Sequence, residues 1–229
     1  MHLVDIIHWF QQNFIHLDKS LEHIVSLYGV WVYAILFAIV FCETGLVVTP
    51  FLPGDALLFA IGAYAVSHPD SGLKWPVAMG LLFVAAILGN LANFSIGRAL
   101  GGRIFKEKAL VLKKEYLDRA HVFFEKHGPK AVILARFMPI FRTLIPFVAG
   151  MASMERPRFV LHTVIGSGLW VFLMMISGVL FGRIPWVQSH FETVVLGIIV
   201  VSMIPVAFEA VVQFLDARKA RSNNDGCKG

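Results

Sequence analysis

Long apolar stretches separated by short polar segments dominate this chain. Residues 77–97, 159–182 and 193–215 are each apolar over about the 20 residues that an α-helix needs to cross a bilayer, so each predicts a transmembrane helix. Small residues recur at every fourth position of the first stretch, which favours close packing against another helix. These residues are Ala85, Gly89, Asn93 and Gly97.

Two further apolar segments, 29–66 and 131–151, are interrupted near their middle. The arms of the first segment, about 29–41 and 56–66, would rise only about 20 and 16 Å as helices, less than the hydrocarbon core of about 30 Å. Each segment therefore predicts a re-entrant hairpin, whose open backbone must be covered by protein or line a water-filled cavity. An alternative for the first segment is one span over about 29–48 followed by an oblique helix. The interrupting residues are Pro50, Pro53 and Gly54 in the first segment and Pro139 and Pro146 in the second.

Three polar segments surround this apolar region. Residues 1–28 mix aromatic residues with acids and four histidines, which predicts an amphipathic helix in the membrane interface. Residues 98–130 carry nine Lys or Arg and four Asp or Glu, with apolar side chains on one helical face, and predict a second amphipathic surface helix. The chain therefore divides into the interfacial helix, a membrane domain at 29–215 and a basic tail at 216–229.

The distribution of basic residues predicts the topology. The positive-inside rule places 98–130 and the tail in the cytoplasm and the loop 67–76 outside. This count is self-consistent if 131–151 re-enters, because 152–158 then returns to the cytoplasmic side. The predicted fold is an all-α, multi-pass membrane protein with two opposed re-entrant hairpins and about three full spans. Hairpins that enter from opposite faces are typical of inverted-repeat transporters, whose sites lie near the midplane.

Composition narrows the function classes. The chain is 57% hydrophobic and 15% charged, with a mean hydropathy of +0.72, whereas soluble domains are about 45–50% apolar and 25% charged. The net charge of +5 is unevenly spread, which indicates topology and anionic lipid headgroups rather than nucleic acid. Cys42 lies in an apolar run and Cys227 in the tail, so we expect no disulfide, metal site or cofactor.

Four charged residues stand inside the interrupted apolar segments. Glu43 and Asp55 belong to the first segment, and Arg136 and Arg142 belong to the second. A charge at the centre of a membrane costs roughly 2.5–3.5 kcal/mol on insertion scales, so such residues mark a functional site by default. Two other interpretations stay open: the four charges form a buried ion-pair network that only fixes the fold, or Asp55 simply caps its half-helix.

Three strings carry a family resemblance. FCETGLVVTPFLPGDALLF and ILARFMPIFRTLIPFVAGM, with GNLANFSIGR between them, resemble the DedA family, also called SNARE-associated or VTT-domain proteins. The resemblance covers about residues 28–215, and the flanking strings YGVWVYAILF and EKHGPKAVILARF are similar to DedA proteins in the narrow sense. Members need two acids in the first hairpin and two arginines in the second, which match the four charged residues above.

The resemblance also implies a function. The family is thought to translocate lipids, and bacterial members are implicated in returning undecaprenyl phosphate across the cytoplasmic membrane with a link to the proton-motive force. Eukaryotic relatives are linked to phospholipid scrambling. The chain departs from many members at Asn90, where they carry Asp, and at Phe94, where they often carry Tyr. The resemblance therefore does not carry a proton-relay role over to Asn90.

The residue types suit lipid-phosphate transport. The planar guanidinium groups of Arg136 and Arg142 match phosphate oxygens in pairs. Thr143 is predicted to cap a half-helix, with Pro146 in its first turn, so that backbone N–H groups add to the anion site. Low dielectric favours a neutral carboxyl and a nearby Arg opposes this, so phosphate binding should favour protonation of Glu43 or Asp55. Protons are therefore expected partners, together with membrane lipids and the lipid-carrier phosphate.

Other functions remain as alternatives. A passive phospholipid scramblase would need a polar groove but no titrating pair, and a scaffold protein would transport nothing. An enzyme is not expected, because we find no Ser/His/Asp arrangement, metal-ligand motif, nucleotide motif or other catalytic residues. The predicted location is the bacterial inner membrane with the C-terminus in the cytoplasm. The sequence leaves open the side of the N-terminus, the oligomeric state and the direction of transport.

Overall fold

The first interrupted segment forms two short helices. Helix α1 spans Trp31–Gly45 with 15 residues and α2 spans Gly54–Ser67 with 14 residues, so each is about 21–22 Å long. The computed structural model describes residues 29–46, 54–104, 114–138, 141–191, 193–198 and 200. Pro50 and Pro53 lie outside these residues.

Two long helices form the centre of the molecule. Helix α3 spans Trp75–Ile104 and helix α7 spans Arg156–Phe181, and both are long and apolar enough to cross a membrane. Helix α3 continues beyond residue 97, where the sequence analysis ends its span. The reason is that hydropathy limits the apolar stretch, whereas helical hydrogen bonding continues through the charged residues that follow.

The second interrupted segment also consists of short pieces. Helix α5 spans Ala131–Leu134 and continues as a 3-10 turn over Ala135–Phe137, and α6 spans Phe141–Met151. The prediction that Thr143 caps α6 is wrong, because Arg142 N–H already donates to the Met138 carbonyl at 2.9 Å. Pro146 consequently lies inside the helix, beyond its first turn. Pro139 lies outside the described residues.

The remaining described segments connect these helices. Helix α4 spans Lys114–His127, buries Ala120 and leaves Asp118 and Arg119 exposed, so it has the two faces that the sequence predicts. Helix α8 spans Pro185–Ser189, and 193–198 are helical. Among the described residues, every regular element is helical. The predicted interfacial helix, the rest of the last span and the tail lie outside the described residues.

Each long helix packs against two short helices, one from each interrupted segment. Helices α1 and α6 pack along α3, whereas α2 and α5 pack along α7. The contacts are close because glycines lie at the crossings: a side chain at Gly97 would overlap the backbone of Phe147, and one at Gly178 would overlap the backbone of Phe59. The small-residue stripe predicted on α3 is thus confirmed as a packing surface, with Gly89 against Thr44 of α1.

Candidate functional site

The four predicted charged residues meet where the short helices end or begin. Glu43 lies in the last turn of α1, Asp55 in the first turn of α2, Arg136 in the 3-10 turn after α5, and Arg142 in the first turn of α6. Glu43 is 1% exposed, Arg136 4% and Arg142 8%, and the Asp55 side chain is 20% exposed. Helices α1 and α6 pack on α3, and α2 and α5 pack on α7. Residues from both interrupted segments therefore meet in one buried cluster.

Arg142 joins the two acids. Its Nη2 lies 2.5 Å from Oε1 of Glu43, in an ion pair, and its Nη1 donates to Oδ2 of Asp55 at 3.2 Å. One arginine therefore bridges carboxylates from α1 and α2 while it belongs to α6. Breaking a buried pair of this kind leaves an uncompensated charge, which costs about 3–5 kcal/mol.

Arg136 has different partners. Its Nη1 donates to Oδ1 of Asn90 at 3.3 Å, and its guanidinium carbon lies 4.4 Å from the centre of the Trp170 ring. Its Nε and Nη2 are buried and have no hydrogen-bond partner among the described residues. These two nitrogens form one edge of the guanidinium group, and two parallel donors on one edge match a pair of phosphate or carboxylate oxygens.

Trp170 on α7 connects an acid to an arginine. Its indole Nε1 donates to Oδ1 of Asp55 at 2.6 Å, while its ring lies beside the guanidinium of Arg136. The side chain is 2% exposed. Asp55 is thus held by Arg142 on one oxygen and by Trp170 on the other, which is more than the capping role considered from the sequence.

Asn93 ties the two halves of the site together. Its Nδ2 donates to the carbonyl oxygen of Thr44 at 3.2 Å and to that of Thr143 at 2.8 Å. Thr44 follows Glu43 and Thr143 follows Arg142, so one buried amide positions the backbone beside both members of the ion pair. Thr143 is buried within α6. Its role in phosphate binding stays a prediction.

Gly54 allows α2 to begin directly against Glu43. A side-chain carbon at this position would overlap the Glu43 carboxylate. The first turn of a helix presents free N–H groups and a partial positive charge, so it favours a negative group placed there. Because α2 begins at Gly54, the N-terminal end of α2 can lie directly against the carboxylate of Glu43 on α1.

Asn90 and three residues of α7 complete the surroundings of the charged cluster. Asn90 links Arg136 to Ser167 of α7, whose hydroxyl lies 3.4 Å from the Asn90 amide nitrogen. Thr163, also on α7, is buried with no hydrogen-bond partner for its hydroxyl among the described residues. The missed residues of α7 are Thr163, Ser167 and Trp170, and their spacing of four and three along an apolar helix is the signal that could have identified them.

The cluster can compensate charge and also accept an anion. Two carboxylates and two guanidinium groups give a formal charge of zero, and Arg136 lies within electrostatic range of Glu43, Asp55 and Arg142. Arg142 contacts both acids, whereas Nε and Nη2 of Arg136 have no hydrogen-bond acceptor among the described residues. An oxyanion bound at that edge would add negative charge to a site whose acids are already paired.

Comparison with known proteins identifies relatives. The family model described as VTT domain matches residues 52–180. The chain is 48% identical over 209 residues to Protein DedA of Escherichia coli, which covers 91% of this chain and 95% of that protein. It is 36% identical over 200 residues to an uncharacterized membrane protein of Mycobacterium tuberculosis (85% of this chain, 86% of that protein). Over 154 residues it is 36% identical to inner membrane protein YqjA of Escherichia coli (67% of this chain, 69% of that protein). No solved structure matches the chain.

Proposed function

The chain belongs to the DedA family of VTT-domain membrane proteins, and from this premise we propose that it carries a lipid phosphate across the bacterial inner membrane. The proposed cargo is undecaprenyl phosphate and the proposed coupling ion is the proton. One relative is named an inner membrane protein, which supports the location. No metal or cofactor has a part in this mechanism.

The open edge of Arg136 is the observation that carries the proposal. Nε and Nη2 are buried donors without a partner among the described residues, and leaving such donors unsatisfied costs free energy. A phosphate monoester offers three oxygens and about −1.5 to −2 charges, so it can accept both hydrogen bonds at once. The exposed apolar side chains on the long helices would lie against the hydrocarbon tail; they include Leu88 and Leu169.

The acid pair provides the proposed route for protons. The empty site is formally neutral, so an incoming phosphate makes it negative. Protonation of Glu43 or Asp55 removes one negative charge and restores part of the balance. Release of that proton on the other side of the membrane would again disfavour the bound phosphate. Transport would thus be linked to the proton gradient without any covalent step.

The proposed architecture is a pair of inverted repeats with re-entrant hairpins. In one repeat the first short helix, α1, packs on the long helix of its own repeat and the second, α2, packs on the other long helix. The second repeat follows the same rule, with α5 on α7 and α6 on α3. The acids and the arginines occupy corresponding places at the two interruptions, which supports a site between repeats near the midplane.

Cysteine labelling tests this topology. With Cys42 and Cys227 replaced by Ser, single cysteines at Asp70, Glu125 and Glu155 should react from opposite sides: Asp70→Cys from outside, and Glu125→Cys and Glu155→Cys from the cytoplasm. All three positions are exposed. If 131–151 instead crosses the membrane fully, Glu155→Cys will be labelled from the side opposite to Glu125→Cys, and the double-hairpin proposal is wrong.

Transport by purified protein in liposomes tests the function. Undecaprenyl phosphate should be moved between leaflets, and an imposed pH gradient should drive its accumulation in one leaflet. One pH unit is worth about 1.4 kcal/mol per proton, which limits a one-proton mechanism to about a tenfold concentration ratio. Flux that is bidirectional and independent of the gradient would indicate a scramblase. Absence of flux for both undecaprenyl phosphate and phospholipids would overturn the proposal in favour of a scaffold.

A further inference from the structure

Trp170 lies between the paired and the open halves of the site. On one side its indole N–H donates to Asp55 at 2.6 Å, and on the other its ring face lies 4.4 Å from the guanidinium carbon of Arg136. A cation over the face of a Trp ring is attracted by the ring's quadrupole, most strongly when both groups are desolvated. Trp170 is thus in favourable contact with two groups of opposite charge.

The backbone of Trp170 is held firmly on both sides. One turn earlier, Gly166 brings α7 against Ile133 of α5, and further along Gly178 brings α7 against α2. These close crossings fix Trp170 relative to the elements that carry Arg136 and Asp55. The indole therefore has a defined place between the two charged groups.

We propose that Trp170 is the positioning residue that keeps Asp55 from pairing with Arg136, so that the Nε and Nη2 edge of Arg136 stays open for a phosphate. The inference rests on the proposed function and extends it. The indole N–H supplies the second oxygen of Asp55 with a donor, and the ring face contacts Arg136 without offering an acceptor oxygen to its Nε and Nη2.

Loss of the indole N–H should close the site. Without that donor, Oδ1 of Asp55 is left unsatisfied, and Arg136 is a cation within its electrostatic range. The attraction between opposite charges is strong where water is excluded, so the carboxylate should turn to the free edge of Arg136. Phosphate would then have to compete with a carboxylate that belongs to the protein.

Binding of phosphatidic acid, a lipid with a phosphate monoester, tests this inference. The dissociation constant would be measured by native mass spectrometry for the wild type, Trp170→Phe, Asp55→Asn and the double variant. Phe keeps the ring beside Arg136 but has no N–H, so binding should weaken by at least about tenfold, the scale of one hydrogen bond to a charged group. In the double variant the competing carboxylate is gone, and affinity should return to that of Asp55→Asn alone. Trp186→Phe, which changes an exposed Trp, is the matched control.

A merely structural role predicts a different pattern. It would leave the double variant at least as weak as Trp170→Phe, and that result would overturn the inference, as would wild-type affinity in Trp170→Phe. Thermal melting of the same four proteins without lipid gives a second readout, since the indole and the carboxylate should show a coupling that a double-mutant cycle detects. Additive melting shifts would also overturn the inference. If the wild type binds no phosphatidic acid and no undecaprenyl phosphate, the proposed function fails together with the phosphate role of Trp170.

Discussion

Arg136→Lys is expected to lower transport of lipid phosphate by about 10- to 100-fold, which corresponds to the loss of one charge-assisted hydrogen bond of about 1.5–3 kcal/mol. The substitution keeps a positive charge beside Trp170 but replaces the two-donor edge of the guanidinium group by an ammonium group. Since Arg136 has no carboxylate partner among the described residues, no ion pair is lost there. Liposome flux and thermal melting would be measured on the same preparations.

Arg142→Lys should behave differently from Arg136→Lys. Arg142 contacts both Glu43 and Asp55, and a single ammonium group cannot reproduce both contacts in the same geometry. The melting temperature should therefore fall, and transport should fall with it. Arg158→Lys is the control, because Arg158 is exposed and its ion-pair partner among the described residues is Glu155, the N-cap of the same helix. Exposed pairs of this kind contribute about 0.2–1 kcal/mol.

The comparison separates charge from geometry. If Arg136→Lys transports at the wild-type rate, a simple positive charge suffices, and the open guanidinium edge has no role in recognising phosphate. If Arg136→Lys loses as much thermal stability as Arg142→Lys, Arg136 is a structural ion of the fold. Either result would show that the open edge of Arg136 does not bind phosphate, and the proposed function would lose its main support.

The charged residues of the site could be predicted because the free-energy cost of placing a charge in an apolar segment depends only on that segment. A charge in an apolar segment is expensive wherever the rest of the chain lies, so Glu43, Asp55, Arg136 and Arg142 stand out in the sequence alone. Prolines and glycines mark the interruptions for the same reason, since their effect on the backbone does not depend on distant partners. The small-residue stripe of α3 likewise depends only on helical periodicity.

The partners of these residues could not be predicted in the same way. Trp170 is one aromatic residue in an apolar helix, and its role depends on Asp55, from which it is separated by 115 positions in the chain. The sequence does not distinguish Arg136 from Arg142, yet in the structure Arg142 forms ion pairs with both Glu43 and Asp55. Asn93 is similar, because its two carbonyl acceptors lie in different interrupted segments.

The predicted start of α6 failed because a local signal competed with tertiary packing. Thr143 has the side chain of a good N-cap, and Pro146 would then have fallen in the first turn. Instead Asn93 binds the Thr143 carbonyl, and α6 packs closely on α3 at Gly97 and Gly150. The helix begins at Phe141, and the hydrogen bond missing at Pro146 lies within it. Packing along the whole helix outweighs a cap of about 1 kcal/mol.

Glu43→Gln is expected to abolish the accumulation of lipid phosphate that a pH gradient drives, while binding of the lipid phosphate is retained. Gln has nearly the size and shape of a protonated Glu, so it fits in the same place between Arg142 and the start of α2. Gly54 has no side chain, which leaves the room that this group needs. The formal charge of the empty site rises from zero to +1, which should strengthen phosphate binding. The side chain can no longer take up or release a proton, so the gradient has nothing to act on at this position.

Two measurements on the same liposomes separate these effects. Binding of undecaprenyl phosphate reports on charge balance, and gradient-driven accumulation reports on proton exchange. Glu155→Gln is the matched control, since Glu155 is exposed and pairs with Arg158 at the surface. It should leave both quantities unchanged. A parallel measurement without a gradient shows whether the Gln variant still moves the lipid passively.

Each outcome for Glu43→Gln distinguishes a mechanism. Retained binding with loss of accumulation supports proton coupling through Glu43, because a structural role would lower binding and stability together. Bidirectional flux that the substitution barely alters, with or without a gradient, is the behaviour of a scramblase. Loss of binding would show that the Glu43–Arg142 pair holds the site in shape, as a buried ion pair can. Accumulation equal to the wild type would exclude Glu43 from proton transfer and leave Asp55, held by Arg142 and Trp170, as the acid that must exchange the proton.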